Sequence, residues 1–136
     1  MPQNMNSFWR SFLAVLLGVI ASFIIIMMLE LVGHVIFPVP EGINLKVEIE
    51  FKSYVSQMSF MEFLPVLLAH FIGVFVGCIS ALKFGRGNKI PVYIVGCFVL
   101  VGSIVNVINI PHPVWFIVAD IGLVILGLIL VVKRKN

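Results

Sequence analysis

The sequence has few charged residues. Only 11% of its 136 positions are Asp, Glu, Lys or Arg, whereas 61% are hydrophobic, and the mean hydropathy is +1.18. A soluble globular domain usually carries about 25% charged residues. The composition therefore excludes a soluble globular domain and predicts an integral membrane protein.

Cysteine is also scarce, and familiar catalytic motifs are missing. The two cysteines, Cys78 and Cys97, fall inside apolar runs, where an apolar thiol is the usual interpretation and a disulfide or metal pair is the less favoured one. The chain has no H-E-x-x-H motif for zinc, no CxxCH motif for haem attachment and no nucleophile motif. It also has no nucleic-acid-binding motif, so we expect no nucleic-acid partner.

The sequence contains four long apolar runs. A helix needs about 20 mainly apolar residues to cross a hydrocarbon layer of ~30 Å. Continuous runs of this length do not fit a β-barrel, whose strands have ~10 residues of alternating polarity. The chain is therefore predicted to be a single all-helical domain within a lipid bilayer, with the first run retained as a span and not cleaved as a signal peptide. The four predicted spans are residues 11–32, 63–82, 91–110 and 114–132.

Basic residues are concentrated at one end of the predicted bundle. Seven of the nine lie near the N-terminus, between the second and third spans, or at the C-terminus. Because Lys and Arg accumulate on the cytoplasmic side of membrane spans, both termini are predicted to be cytoplasmic. The seven residues are Arg10, Lys83, Arg86, Lys89, Lys133, Arg134 and Lys135.

The long first connection is predicted to contain an amphipathic segment on the outer membrane surface. Phe51, Val55 and Met58 are apolar at helical spacing, which favours a helix over a short strand. Ser59, followed three residues later by Glu62, fits a capping box that starts the second span.

Small residues recur every four positions in the first two spans and predict where the helices pack. Such stripes permit close approach of helices in lipid, although a homo-oligomer or another membrane-protein partner is an open alternative. Short connections make neighbouring spans antiparallel, which predicts a four-helix up-down bundle. The stripes are Ala14, Gly18 and Ser22 in the first span, and Ala69, Gly73, Gly77 and Ala81 in the second.

The polar residues inside the spans lie toward the outer end. Glu30 and His34 are four residues apart and share a helix face. His70 and Asp120 are each predicted to lie ~12 Å below the outer surface. Intramembrane ionisable residues usually face a bundle interior and find partners there. The candidate binding site comprises Glu30, His34, His70, Asn106, Asn109, His112 and Asp120.

This candidate site has three open interpretations. The residues hydrogen-bond across helices without a ligand, line an outward-open cavity for a small ligand, ion or proton, or bind a metal or haem. The favoured function is a non-enzymatic binding, transport-related or accessory subunit. The alternative is a metal- or haem-dependent membrane enzyme or redox subunit. No specific cofactor or substrate is indicated.

Three segments carry a family resemblance. "MLELVGHVIFPVPEG", "GVFVG" in the second span and "NVINIPHPVWF" resemble an uncharacterised family of small four-span bacterial inner-membrane proteins. The similarity extends from Glu30 to about Trp115. It implies a four-helix membrane fold in a bacterial inner membrane, and it implies no activity, substrate or catalytic residue.

Overall fold

The computed structural model describes residues 6–134, and these form an all-helical bundle. Four of the helices are long and apolar enough to cross a membrane, so the chain is a small integral membrane protein with the predicted all-α fold. The helices are α1 (Ser7–Ile36), α2 (Glu48–Gln57), α3 (Phe60–Phe84), α4 (Lys89–Asn109) and α5 (Val114–Val132).

The bundle has the predicted up-down topology, and α3 is its central element. Helix α3 packs against α1, α4 and α5, and its contact with α1 is the most extensive in the bundle. Helix α1 has 30 residues and is therefore about 45 Å long. It extends beyond a hydrocarbon layer of ~30 Å, and it begins and ends four residues outside the predicted span.

Small residues form the contact between α1 and α3. A Cβ atom at Gly77 would overlap the Ser22 hydroxyl and would lie 2.6 Å from the carbonyl oxygen of Gly18. A Cβ atom at Gly73 would lie 2.5 Å from the side chain of Ile26. The predicted small-residue stripes are thus confirmed as packed surfaces, and close backbone approach is what holds this pair of helices together.

The amphipathic segment between the first two spans is helical, as predicted. Helix α2 lies where α1 ends and α3 begins, which we call the α2 end of the bundle. Its Val55 packs in a buried cluster with Phe63, Leu67 and Phe116. The capping box is present, because the Glu62 carboxylate accepts hydrogen bonds from the backbone N–H of Ser59 at 2.6 Å and from its hydroxyl at 2.7 Å.

The opposite end of the bundle carries most of the basic residues. Asn88, between α3 and α4, donates a hydrogen bond of 3.2 Å to Ser11 near the start of α1. The helix order therefore brings six of the seven residues that determined the predicted orientation to this end. The seventh, Lys135, lies outside the described residues.

Candidate functional site

A fully buried carboxylate joins three helices. Asp120 on α5 has no exposed surface. One of its oxygens lies 2.7 Å from Nδ1 of His70 on α3, and the other accepts a hydrogen bond from the Ser103 hydroxyl on α4. We call these three residues the buried network. In lipid, where water does not solvate polar groups, such internal partners are the ones available.

The position of Asp120 follows from the pattern of α5. The buried residues of this helix are Phe116, Asp120, Val124, Gly127 and Val131, spaced three or four apart. Residues with this spacing share one helix face. Asp120 therefore occupies the middle of the face that packs into the bundle, next to the histidine that was predicted to lie at the same depth.

His70 also faces a second carboxylate. Its Nε2 atom lies 3.8 Å from Oε1 of Glu30 on α1. The imidazole is buried, whereas about a third (34%) of the Glu30 side chain is exposed. His70 is thus placed between a buried carboxylate and one that reaches an open space. The sequence pattern paired Glu30 with His34 on the same helix, but the nearer partner of Glu30 is His70 on α3.

The order of groups in the buried network differs from a nucleophilic triad. In such a triad the histidine takes the proton of the serine hydroxyl and the carboxylate orients the histidine. Here the carboxylate of Asp120 stands between Ser103 and His70. The hydroxyl therefore donates to a carboxylate and not to a histidine that would take its proton and activate it. The arrangement therefore differs from one that activates a nucleophile.

A cavity of about 230 Å³ opens at the α2 end, above the buried network. It lies between the end of α1, helix α2, the start of α3 and the turn that joins α4 to α5. Four of the predicted site residues, Glu30, His34, Asn106 and His112, line it. We call it the α2-end cavity.

Gly33 permits α1 to reach the α2-end cavity. A Cβ atom at Gly33 would lie 2.6 Å from the ring of Pro65 on α3. Because glycine has no side chain, α1 crosses Pro65 closely at the turn that carries Glu30 and His34. The glycine between these two polar residues is therefore a packing requirement of the site.

Aromatic side chains form much of the cavity wall. Phe37 follows α1, Phe51 and Tyr54 belong to α2, and Phe63 lies in the first turn of α3. Burial, followed by the nearby Glu62 carboxylate, raises the pKa of Tyr54 and keeps its phenol neutral. The wall thus combines aromatic faces with a hydroxyl group.

The charges at the cavity wall are negative. Within residues 6–134 the lining includes the carboxylates of Glu30 and Glu62, but neither lysine nor arginine.

Burial is the main effect that lowers the pKa of His112, so its imidazole is neutral at pH 7. His112 stacks on Phe116 with ring centroids 4.4 Å apart, and its Nδ1 lies 2.9 Å from the carbonyl oxygen of Ile110.

Asn109 is the one predicted site residue placed away from these groups. It is exposed, and its amide donates to the carbonyl oxygen of Val105 on the same helix at 2.7 Å. Asn106, three residues earlier, does line the α2-end cavity. The two positions are offset by about 60° around the helix, and Asn109 is the last residue of α4, one turn beyond Asn106.

A second cavity of about 170 Å³ lies deeper, between α1 and α4. His70 and Ser103 of the buried network reach its wall, together with Ser22. The other residues that line it are apolar: Val19, Phe23, Ile26, Phe98, Val99 and Gly102. We call it the deep cavity.

Ser103 and the α2 side of the cavity are not among the predicted site residues. Ser103 lies three residues before Asn106, so helical spacing was the signal that linked them. Phe51 was used only to predict an amphipathic helix, and nothing in the sequence placed that helix over Glu30.

In the part of the chain that the structure describes, no group of three or more His, Cys, Asp or Glu side chains is arranged to hold a metal ion.

Comparisons with known proteins do not identify a family for this chain. No family model, no curated protein and no solved structure matches it. The function is therefore inferred from the α2-end cavity and the buried network themselves.

Proposed function

We propose that this protein binds a small organic cation in the α2-end cavity, as a non-enzymatic, transport-related or accessory subunit of a bacterial inner membrane. The observation that carries the proposal is the carboxylate of Glu30 in a cavity with aromatic walls. Its termini are cytoplasmic and the cavity opens to the outside.

Charge supports a cationic ligand. Glu62 is engaged by two donors of Ser59, whereas Glu30 faces His70 at 3.8 Å and keeps a third of its side chain exposed. In the described part of the chain no lysine or arginine at the cavity wall competes for it. A cation about 4 Å from a carboxylate near a protein surface gains on the order of 4 kcal/mol before desolvation.

The aromatic wall supports an organic cation over a simple metal ion. Aromatic faces attract ammonium groups by about 0.5–2 kcal/mol each, depending on solvent exposure. Phe51, Tyr54 and Phe63, on two helices, line the same cavity as Glu30 and are the rings that would contact such a group. A small metal ion would instead need several oxygen or nitrogen ligands at short distance.

The size of the cavity limits the ligand. A volume of about 230 Å³ corresponds to roughly eight water molecules. Pockets for drug-sized ligands are larger, at about 300–1,000 Å³. The ligand is therefore a small ammonium compound, for which benzyltrimethylammonium is a suitable probe.

The charge distribution supports the orientation. The six described basic residues that determined the predicted topology lie at the end opposite α2, which by the positive-inside rule is the cytoplasmic end. The α2 end carries Glu41, Glu48, Glu50 and Glu62, with two lysines, one of which pairs with Glu48 at 2.5 Å. A negative outer surface favours the approach of a cation.

The test is titration of the purified protein in lipid nanodiscs with benzyltrimethylammonium. The ring centroids of Trp115 and Phe63, a residue of the cavity wall, are 5.6 Å apart, so Trp115 fluorescence should report binding. The other tryptophan, Trp9, is replaced by Phe so that the signal comes from Trp115. We expect saturable binding to the wild-type site. Glu30→Gln removes the charge and keeps the shape, and it should weaken binding at least about tenfold, which is 1.4 kcal/mol.

Glu41→Gln is the matched control, because it removes an exposed carboxylate that does not line the cavity. It should bind the probe as the wild type does. Benzoate, an anion of similar size, should not bind. The proposal is wrong if the wild type shows no saturable binding of the cation, or if Glu30→Gln and Glu41→Gln bind it equally well.

A further inference from the structure

We propose that the α2-end cavity and the deep cavity bind one amphiphilic molecule, whose ammonium head lies at Glu30 and whose alkyl chain lies in the deep cavity. This inference rests on the proposed function, because it takes the cationic head from there and adds the class of molecule that carries it. The ligand is then an alkylammonium compound and not a compact cation.

The two cavities are stacked along the same three helices. Helices α1, α3 and α4 each contribute a residue to the wall of one cavity and a residue four positions away to the wall of the other. Four residues correspond to about one turn and a rise of about 6 Å, so the two walls follow each other directly along the bundle axis. The pairs, with the deep-cavity residue first, are Ile26 and Glu30, His70 and Val66, and Gly102 and Asn106.

The side chains of Glu30 and His70 mark the boundary between the cavities. Glu30 lines the α2-end cavity, His70 lines the deep cavity, and Oε1 of Glu30 lies 3.8 Å from Nε2 of His70. This distance is too long for a hydrogen bond, so no such bond has to break when Glu30 turns toward a ligand. The carboxylate therefore lies at the junction, where it can hold the head of an amphiphile whose chain is directed inward.

The two cavities differ in polarity. The α2-end cavity carries the Glu30 carboxylate and aromatic rings, which attract an ammonium group. Among the described residues, no aspartate, glutamate, lysine or arginine lines the deep cavity, and most of its wall is apolar. A charged head has no ionic partner there, whereas an alkyl chain gains free energy by leaving water. The difference in polarity thus orients the molecule.

The three polar side chains of the deep cavity are directed at other parts of the bundle. The Ser103 hydroxyl and Nδ1 of His70 both lie on the Asp120 carboxylate. Ser22 is buried, and its hydroxyl lies against Gly77 of α3. What the deep cavity offers a ligand is therefore an apolar surface.

The volume of the deep cavity limits the length of the chain. A volume of about 170 Å³ corresponds to roughly six water molecules, and a methylene group has a similar size. Each methylene moved from water into an apolar site favours binding by up to about fourfold, and the ordering of a flexible chain offsets part of this gain. Hexyltrimethylammonium is therefore a suitable probe.

The experiment compares the binding of tetramethylammonium and hexyltrimethylammonium to the protein in lipid nanodiscs, with Trp115 fluorescence as the signal. Empty nanodiscs give the partition of each compound into lipid, so that affinities refer to the free compound in water. We expect the hexyl compound to bind at least about 30-fold more tightly, which is about twofold for each of its roughly five additional methylene groups.

Gly102→Leu tests the position of the chain. Gly102 lines the deep cavity, and a Cβ atom there meets nothing within 4 Å, so a leucine side chain has room and occupies space that the alkyl chain needs. The variant should bind tetramethylammonium as the wild type does. Its preference for the hexyl compound should fall at least about tenfold, because several methylene groups lose their place in the deep cavity.

Gly122→Leu is the matched control, because a Cβ atom there also meets nothing within 4 Å and Gly122 lines neither cavity. It should keep the wild-type preference. Equal affinity of the wild type for the two compounds, or an equal preference for the hexyl compound in Gly102→Leu and Gly122→Leu, would overturn the inference. If the wild type binds no ammonium compound at all, the proposed function itself fails. The two failures are thus distinguishable.

A second measurement does not depend on the folding of a variant. Hexyltrimethylammonium with a diazirine at the end of its chain is bound to the wild type and activated by light, and the labelled peptides are identified by mass spectrometry. Adducts should fall within residues 19–26 and 98–103, which line the deep cavity, and excess hexyltrimethylammonium should suppress them. Adducts confined to other segments, or adducts that the competitor leaves unchanged, would contradict a chain bound in the deep cavity.

Discussion

His70 on α3 and Asp120 on α5 are 50 residues apart in the chain, and a distance of 2.7 Å joins their side chains inside the bundle. Asp120 also accepts from Ser103 on α4, so loss of this carboxylate leaves two buried donors without an acceptor. An unsatisfied buried donor costs about 1–3 kcal/mol. The buried network therefore contributes to the stability of the bundle by joining α3, α4 and α5.

The first prediction is that Asp120→Ala lowers the free energy of unfolding by about 1–3 kcal/mol, more than Ser103→Ala does. The two losses should not add, because the Ser103 hydroxyl has no role in the network once its acceptor is gone. A double-mutant cycle, measured by unfolding in mixed detergent, should give a coupling energy of about 0.6–1.7 kcal/mol.

Ser80→Ala is the matched control for this cycle. The Ser80 hydroxyl donates to the carbonyl oxygen of Val76 on its own helix and joins no helices together. Its removal should change stability by less than about 0.5 kcal/mol. Additive losses for Ser103 and Asp120 would contradict a shared hydrogen bond.

The fold was predictable because the membrane restricts the possible structures. Four apolar runs of sufficient length must be helices, and short connections make neighbours antiparallel. The sequence did not define where helices end. Helix α1 continues to Ile36, past its predicted end at residue 32. The helix ends where it does because a proline disfavours helical backbone in the residue before it, and Pro38 follows two residues later. A fall in hydrophobicity does not set this end.

The candidate site was predictable in depth but only partly in partners. Counting residues from the outer ends placed His70 and Asp120 at the same level, where the structure joins them. Helix rotation was harder to predict, since α5 is apolar on every face except at Asp120, and a single polar residue does not define which face is buried. The contribution of α2 depended on how a surface helix folds back over Glu30, which is a long-range contact that no local pattern encodes.

The second prediction concerns packing of α1 against α3. Gly77→Ala should lower the free energy of unfolding by about 1–3 kcal/mol, because its methyl group would overlap Ser22 and press on the carbonyl oxygen of Gly18. Gly122→Ala is the matched control, since a Cβ atom there meets nothing within 4 Å. The control should be neutral or slightly stabilising, because alanine favours a helix. Equal stability of the two variants would mean that Gly77 is not at a close contact.

The third prediction concerns orientation. Cysteine probes at Glu41 and Lys89, two exposed positions at opposite ends of the bundle, are introduced into a variant without Cys78 and Cys97. A membrane-impermeant maleimide should label intact bacterial cells at position 41 only, because the positive-inside rule predicts that the basic end is cytoplasmic. Position 89 should become reactive after the cells are opened. Labelling of intact cells at position 89 alone would reverse the topology.

The last prediction is that His112 makes the protein less stable as the pH falls. Burial lowers the pKa of His112 below its ordinary value of 6.5, so between 6.5 and the folded pKa the unfolded chain binds more protons than the folded one. The free energy of unfolding therefore decreases as the pH drops through this window, whereas above it the neutral ring contributes its full stacking on Phe116.

His112→Phe should remove this part of the pH dependence while keeping an aromatic ring beside Phe116. Measured at about pH 8, the two proteins differ only in packing, which provides the reference for the comparison. At about pH 5 the wild type should have lost more stability than the variant, because only the wild type must keep an imidazole neutral against protonation. Stability curves that stay parallel across this range, or a wild type that gains on the variant in acid, would show that His112 is protonated in the folded protein.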